Sequence, residues 1–185
     1  MLARVEPRLG GSRASDLSGL VGTTVDPGGA GSLSEYSATG VEQVLVRYED
    51  TPRGLAALEH ARVLADARGA RLMVVAVAPH EVNHGGCAIC RSTAGLYNRH
   101  MDEIAEEEIS AAATHVGVCD RVEFVVAKGG SFRCAIGELA VQRGARTVVL
   151  PAPRGGRLAR LFGRDEAELT RRRSAAEVIV VDESS

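Results

Sequence analysis

The sequence predicts a doubly wound, five-stranded parallel α/β domain preceded by an unstructured arm. Three observations carry this. From Val41 onward, short apolar runs alternate with segments of helical period. One run, Leu72 to Ala78, is apolar without a break. Each intervening helix is long enough to cross back over a sheet. An unbroken apolar run marks a strand buried on both faces, because apolar–polar alternation arises only where one face meets water. Right-handed crossovers between such strands give the doubly wound arrangement.

Residues 1–40 are dense in Gly and Ser, carry Pro27-Gly28-Gly29, and keep no period of 2 or 3.6. Such a segment buries too little apolar surface to offset its chain entropy, so a disordered arm is expected, with the domain over 41–183. Val44-Leu45-Val46 opens the first strand, which ends near Tyr48. Thr51 and Pro52 then form a helix entry, Thr as N-cap and Pro at the first helical position. Leu55, Leu58, Ala61 and Ala65 recur at helical spacing as far as Gly69. The second strand, Leu72 to Ala78, stops at Pro79. An irregular stretch from His80 to about Thr93 precedes a long helix carrying Met101, Ile104, Ala105, Ile109 and Ala112, with Glu106-Glu107-Glu108 expected outside. Strands over Val122–Ala127, Thr147–Leu150 and Val178–Val181 follow, separated by a helix over Ala135–Gln142 and an Arg-rich helix from about Leu158 to Arg173. Ligands of such sheets bind beyond the carboxyl ends of the strands, where strand order reverses, so the residues that matter are expected just after strands one and four.

A length of 185 residues suits one domain and a tail. The formal net charge of −2 removes the electrostatic argument for nucleic acid or an anionic membrane as partner. No apolar run approaches the ~20 residues of a membrane-spanning helix. The N-terminus lacks the contiguous apolar core of a secretion signal, so a cytoplasmic location is expected. Lys128 is the sole lysine, and Gly129 follows it rather than Ser or Thr, which excludes a Walker-type phosphate loop.

At the two expected places the chain resembles the universal stress protein family, over about Val41 to Asp182. Val44-Leu45-Val46-Arg47-Tyr48-Glu49-Asp50-Thr51-Pro52 looks like the family's opening V-L-V-A-V-D-G-S-P. Ala65-Asp66-Ala67-Arg68-Gly69-Ala70-Arg71-Leu72 looks like its A-x-x-x-G-A-x-L, and Gly144 to Leu150 like its G-A-D-x-I-V-V-G. Val178 to Val181 looks like its closing strand. The resemblance implies strand order 3-2-1-4-5, a dimer, and a role in stress physiology. In many members it also implies ATP, with an acid after strand one at the adenosine and G-x-x-G-x(9)-G-[ST] around the phosphates. Glycines serve there because they let backbone N–H groups approach an anion.

Counted back from Gly163, the two leading glycines fall on Leu150 and Pro153, and Pro153 has no N–H to donate. The last Ser/Thr becomes Arg164, and the acid becomes Glu49 with Asp50 in place of glycine. An adenine nucleotide such as ATP is therefore expected only in a modified cleft. The resemblance and the local glycines and charges nominate Glu49, Asp50, Thr51, Gly129, Gly155, Gly156, Gly163 and Arg164. Residues 152–173 hold seven arginines against three acids, either an alternative anion grip or a solvated helix face. Arg47 stands where a small apolar side chain is usual; pairing with Glu49 on the same strand face or an inward ligand contact would account for it.

His80-x(3)-His84-x(2)-Cys87-x(2)-Cys90 is the most unusual local pattern. Imidazole and thiolate donors at this spacing suit zinc; the two thiols alone suit a redox pair; an incidental loop is the third reading. Cys119 and Cys134 are expected as small apolar fillers, and His60, His100 and His115 as surface residues. No catalytic set emerges: Ser131 lacks the G-x-S-x-G context of a hydrolase elbow. The expected function is regulatory binding through a homodimer joined at the last strand, with a metal- or redox-sensing module, or a partner-binding domain without nucleotide, as alternatives.

Overall fold

The computed structural model describes residues 42–81, 88–117, 119–129, 132–153 and 166–182, the side chains of 88–91 and 132–133 excepted. The expected arm over 1–40 lies outside these residues, as do His84, Cys87, Gly155, Gly156, Gly163 and Arg164. The chain runs β1 (Gln43–Arg47), α1 (Pro52–Arg68), β2 (Arg71–Pro79), α2 (Ala88–Val116), β3 (Val122–Gly129), α3 (Phe132–Arg143), β4 (Thr147–Pro151), α4 (described over 166–173) and β5 (Glu177–Val181). All neighbouring strands pair parallel, in the order β3-β2-β1-β4-β5 that the resemblance implies.

Successive residues of β1 feed opposite cores. Val44, Val46 and Tyr48 pack with Leu58, Ala61, Ala65, Ala105 and Ile109 of α1 and α2. Leu45 packs with Met73, Val75, Ile136, Leu139 and Ala167, the face of α3 and α4. Seven consecutive residues of β2, Leu72 to Ala78, are buried, as an unbroken apolar run requires. Alanines dominate the buried helix positions, so the helices lie close against the β-branched sheet.

Thr51 caps α1 as expected, its Oγ1 accepting from Gly54 N at 3.1 Å with Pro52 in the first turn. Gly69, at φ 60°, closes the helix in the left-handed region. Arg68 then reaches Glu42, Thr147 Oγ1 (2.8 Å) and Glu177, tying the end of α1 to the amino-terminal edge of the sheet. Among the described residues no helix is long and apolar enough to cross a membrane.

Two expectations need correction here. The long helix begins at Ala88 rather than after Thr93, because the last helix breakers before it in sequence are Gly85-Gly86; Cys90 therefore stands on α2 and not in a loop. Cys119 is exposed rather than an apolar filler, since it lies in the turn before β3, where its carbonyl accepts from Val122 N at 3.0 Å. Cys134 is half-buried, and both thiols are free. His60, His100 and His115 are exposed, as expected.

Candidate functional site

The helices after β1 and β4 leave on opposite faces of the sheet, so a crevice opens between the carboxyl ends of these two strands. Arg47 forms its floor. Its side chain follows Leu45 toward α4 and is 10% exposed. Nη2 lies 3.3 Å from Glu49 Oε2, and Nη1 donates to Glu166 Oε2 at 2.9 Å. The pairing with Glu49 is the one the sequence predicts. The pairing with Glu166 joins residues 119 positions apart, beyond the reach of any local pattern. The cleft of about 190 Å³ is lined by Arg47, Glu49, Leu150, Pro151, Ala152, Pro153, Glu166, Ala167 and Val180. That is smaller than the roughly 300–1,000 Å³ usual for a drug-sized ligand, and suits a base or a sugar.

Close approach at one glycine shapes the turn that presents Glu49. Glu49 O accepts from Thr51 N at 2.7 Å and lies so near Gly54 that a Cβ there would stand 1.9 Å from it. Arg53, the residue before Gly54 on α1, donates from Nη1 to Pro153 O at 2.8 Å and so joins the two rims of the crevice. On the far rim, Ala152 N donates to Val181 O at 2.7 Å, carrying the β4–β5 ladder one residue past the paired Pro151 and Val181.

Behind the crevice, on the α1/α2 face, Tyr48 is 1% exposed and its OH donates to Asp50 Oδ1 at 3.4 Å. Burial, reinforced by Asp50, pushes the phenol up to about 12. Glu108 is turned toward this turn instead of lying outside with Glu106 and Glu107, because it shares the helix stripe of Ala105 and Ala112 that packs on β1. Burial first, then Glu49, push its carboxyl from 4.5 up to about 7; a backbone hydrogen bond at Asp50 and the Arg47 charge act the other way. The folded chain thus holds this proton more tightly than the unfolded one. The stability it contributes is complete below the unfolded value and is lost as pH rises through about 7. Glu108→Gln is expected to unfold in urea like the parent at pH 5, and to be more stable by ~1–2 kcal/mol at pH 8. Equal curves at both pH values would mean that Glu108 is ionised throughout.

Of the nominated residues, the structure brings Glu49 into the cleft. Asp50 and Thr51 lie on the turn beside it, with Thr51 Oγ1 engaged as the cap. Gly129 ends β3, two strands from β1, and does not line the cleft. Sequence reasoning missed Arg53, Glu108, Glu166 and Val180. Glu108 carried a usable signal, its spacing of three from Ala105 and four from Ala112.

His80 belongs to a second cluster at the same edge. Its backbone N donates to Gly129 O at 2.7 Å, and its Nε2 lies 2.8 Å from Asp102 Oδ1. Lys128 Nζ is 3.0 Å from the other Asp102 oxygen. Burial pushes the Asp102 carboxyl up, but the hydrogen bonds from His80 and Lys128 outweigh it and hold the group below the usual carboxylate range. Asn98 fastens the next residue, accepting from Glu81 N at 2.8 Å and donating to Glu81 O. Among the described residues no group of three His, Cys, Asp or Glu side chains could hold a metal ion.

No protein-family model matches the chain, and no curated protein does. Solved structures do. Universal stress protein UspA from Lactobacillus plantarum superposes with a TM-score of 0.63 at 16% identity, covering 76% of this chain and 97% of that one. The chain has the universal stress protein fold. A universal stress protein from Archaeoglobus fulgidus is similar at a TM-score of 0.53 and 19% identity, covering 76% of this chain and 93% of that one. The likeness extends to the architecture, strand order included.

Proposed function

We propose that this chain is a regulatory domain that takes an adenine nucleoside or nucleotide in the crevice between β1 and β4 and acts as a homodimer. The observation that carries the reading is the position of Glu49. It stands on the turn after β1, lines the cleft, and gives Arg47 one carboxylate oxygen, Oε2. The other oxygen is an acceptor for ribose hydroxyls or an exocyclic amine, the role that the resemblance implies for an acid at this place. Leu150, Ala152 and Val180 supply apolar walls for a flat ring. The dimer is supported by β5. It pairs with β4 on one side, lies at the edge of the sheet, and is apolar from Val178 to Val181. An apolar edge strand is an aggregation hazard, which pairing with a second copy across a two-fold axis would remove. Equilibrium dialysis with labelled adenosine and ATP tests the site. Binding is expected in the parent and at least ten-fold weaker in Glu49→Ala; a parent that binds neither compound refutes the reading.

A second reading, a metal-binding loop of His80, His84, Cys87 and Cys90, is favoured by one observation. Asp102 is an acceptor, so His80 donates Nε2–H to it, and among the described residues nothing meets Nδ1. A carboxylate that fixes one imidazole nitrogen so is the usual outer support of a ligating histidine. Native mass spectrometry of untreated protein would show one zinc per chain, lost in Cys87→Ser/Cys90→Ser; metal-free protein with a titrating dithiol would favour the redox alternative.

A further inference from the structure

Among the described residues, the turn after β4, where a ligand's phosphates would lie, holds no free main-chain donor. Where a parallel α/β sheet binds a phosphorylated ligand, the turn after a strand curls so that successive N–H groups converge on the anion. Here the chain stays extended. Pro151 and Pro153 have no N–H, and the N–H of Ala152 between them is already donated to Val181 O at 2.7 Å. The β4–β5 ladder thus consumes the single donor that the prolines leave. Both cations that the described residues place at the crevice are also engaged. Arg53 holds Pro153 O at 2.8 Å, and Arg47 is divided between Glu49 and Glu166. Among the described residues the floor sets one guanidinium against two carboxylates, an arrangement that suits a neutral ring with N–H or O–H donors.

Resting on the adenine reading above, we propose that the crevice recognises the nucleoside part of its ligand alone, so that affinity does not increase with the number of phosphates. Pro151, Ala152 and Pro153 are then the specificity-determining residues, and Glu49 supplies the polar contact. Isothermal titration of the full chain with adenosine, AMP, ADP and ATP at one fixed ionic strength tests this. The expected result is four dissociation constants within five-fold of one another. ATP binding five-fold or more tighter than adenosine would overturn the inference, and a loss of that advantage in high salt would assign the phosphates to arginine side chains instead. Failure of all four to bind would remove the adenine reading itself, and the inference with it.

Discussion

Gly54→Ala is expected to destabilise the domain by about 2–4 kcal/mol in urea unfolding, against its helix propensity. In the interior of a helix, alanine replaces glycine with a gain of up to ~1 kcal/mol. At this position the added methyl would stand 1.9 Å from Glu49 O and 2.9 Å from Glu49 C, both backbone atoms that no rotamer change can move aside. Relief requires the turn after β1 to open, which breaks the 2.7 Å bond from Thr51 N to Glu49 O and withdraws Glu49 from the crevice. Gly95→Ala is the matched control. It lies on α2, is exposed, and has nothing within 4 Å of its would-be Cβ. That variant is expected to gain ~0.5–1 kcal/mol. A Gly54 variant as stable as the parent would refute the close approach.

Arg47→Met is expected to cost about 2–4 kcal/mol in urea unfolding at neutral pH. The methionine fills the volume but leaves Glu49 and Glu166, 20% and 14% exposed, facing one another across the cleft without their shared cation. Removing one partner of a buried ion pair is costly because the remaining charge stays desolvated, more than because an attraction is lost. Arg47→Lys keeps the charge but not the planar fork that serves both acids at once, and should fall between the parent and the methionine variant. An Arg47→Lys variant as destabilised as the methionine variant would show that packing and geometry, not charge, set the cost.

The strands were legible because β2 and β4 are buried on both faces and read as continuous apolar runs, and α1 because Thr51, Pro52 and Gly69 mark both its ends. The start of α2 is hidden in the sequence because polar Ser92 and Thr93 read as loop, whereas the helix already runs from Ala88. The crevice was half legible. Glu49 and Pro153 follow their strands directly, so chain position alone nominates them. Glu166 and Val180 arrive through the long-range pairing of α4 and β5, and Arg53 through a bond to a carbonyl 100 residues away. Glu108 reads as solvent-facing in the sequence because three consecutive acids look like a solvated face. Helical geometry places the third of them a turn from Ala105 and Ala112, over the end of β1.

The aromatic content of the chain has a practical consequence at Tyr48. There is no tryptophan and there are three tyrosines. Tyr97 is 39% exposed on α2, whereas Tyr48 is 1% exposed, one residue from the Arg47 floor, with its hydroxyl on Asp50. Ultraviolet emission from the folded protein therefore includes a fluorophore packed directly behind the crevice, and occupancy that shifts Asp50 would be readable as a change in its intensity without any attached dye.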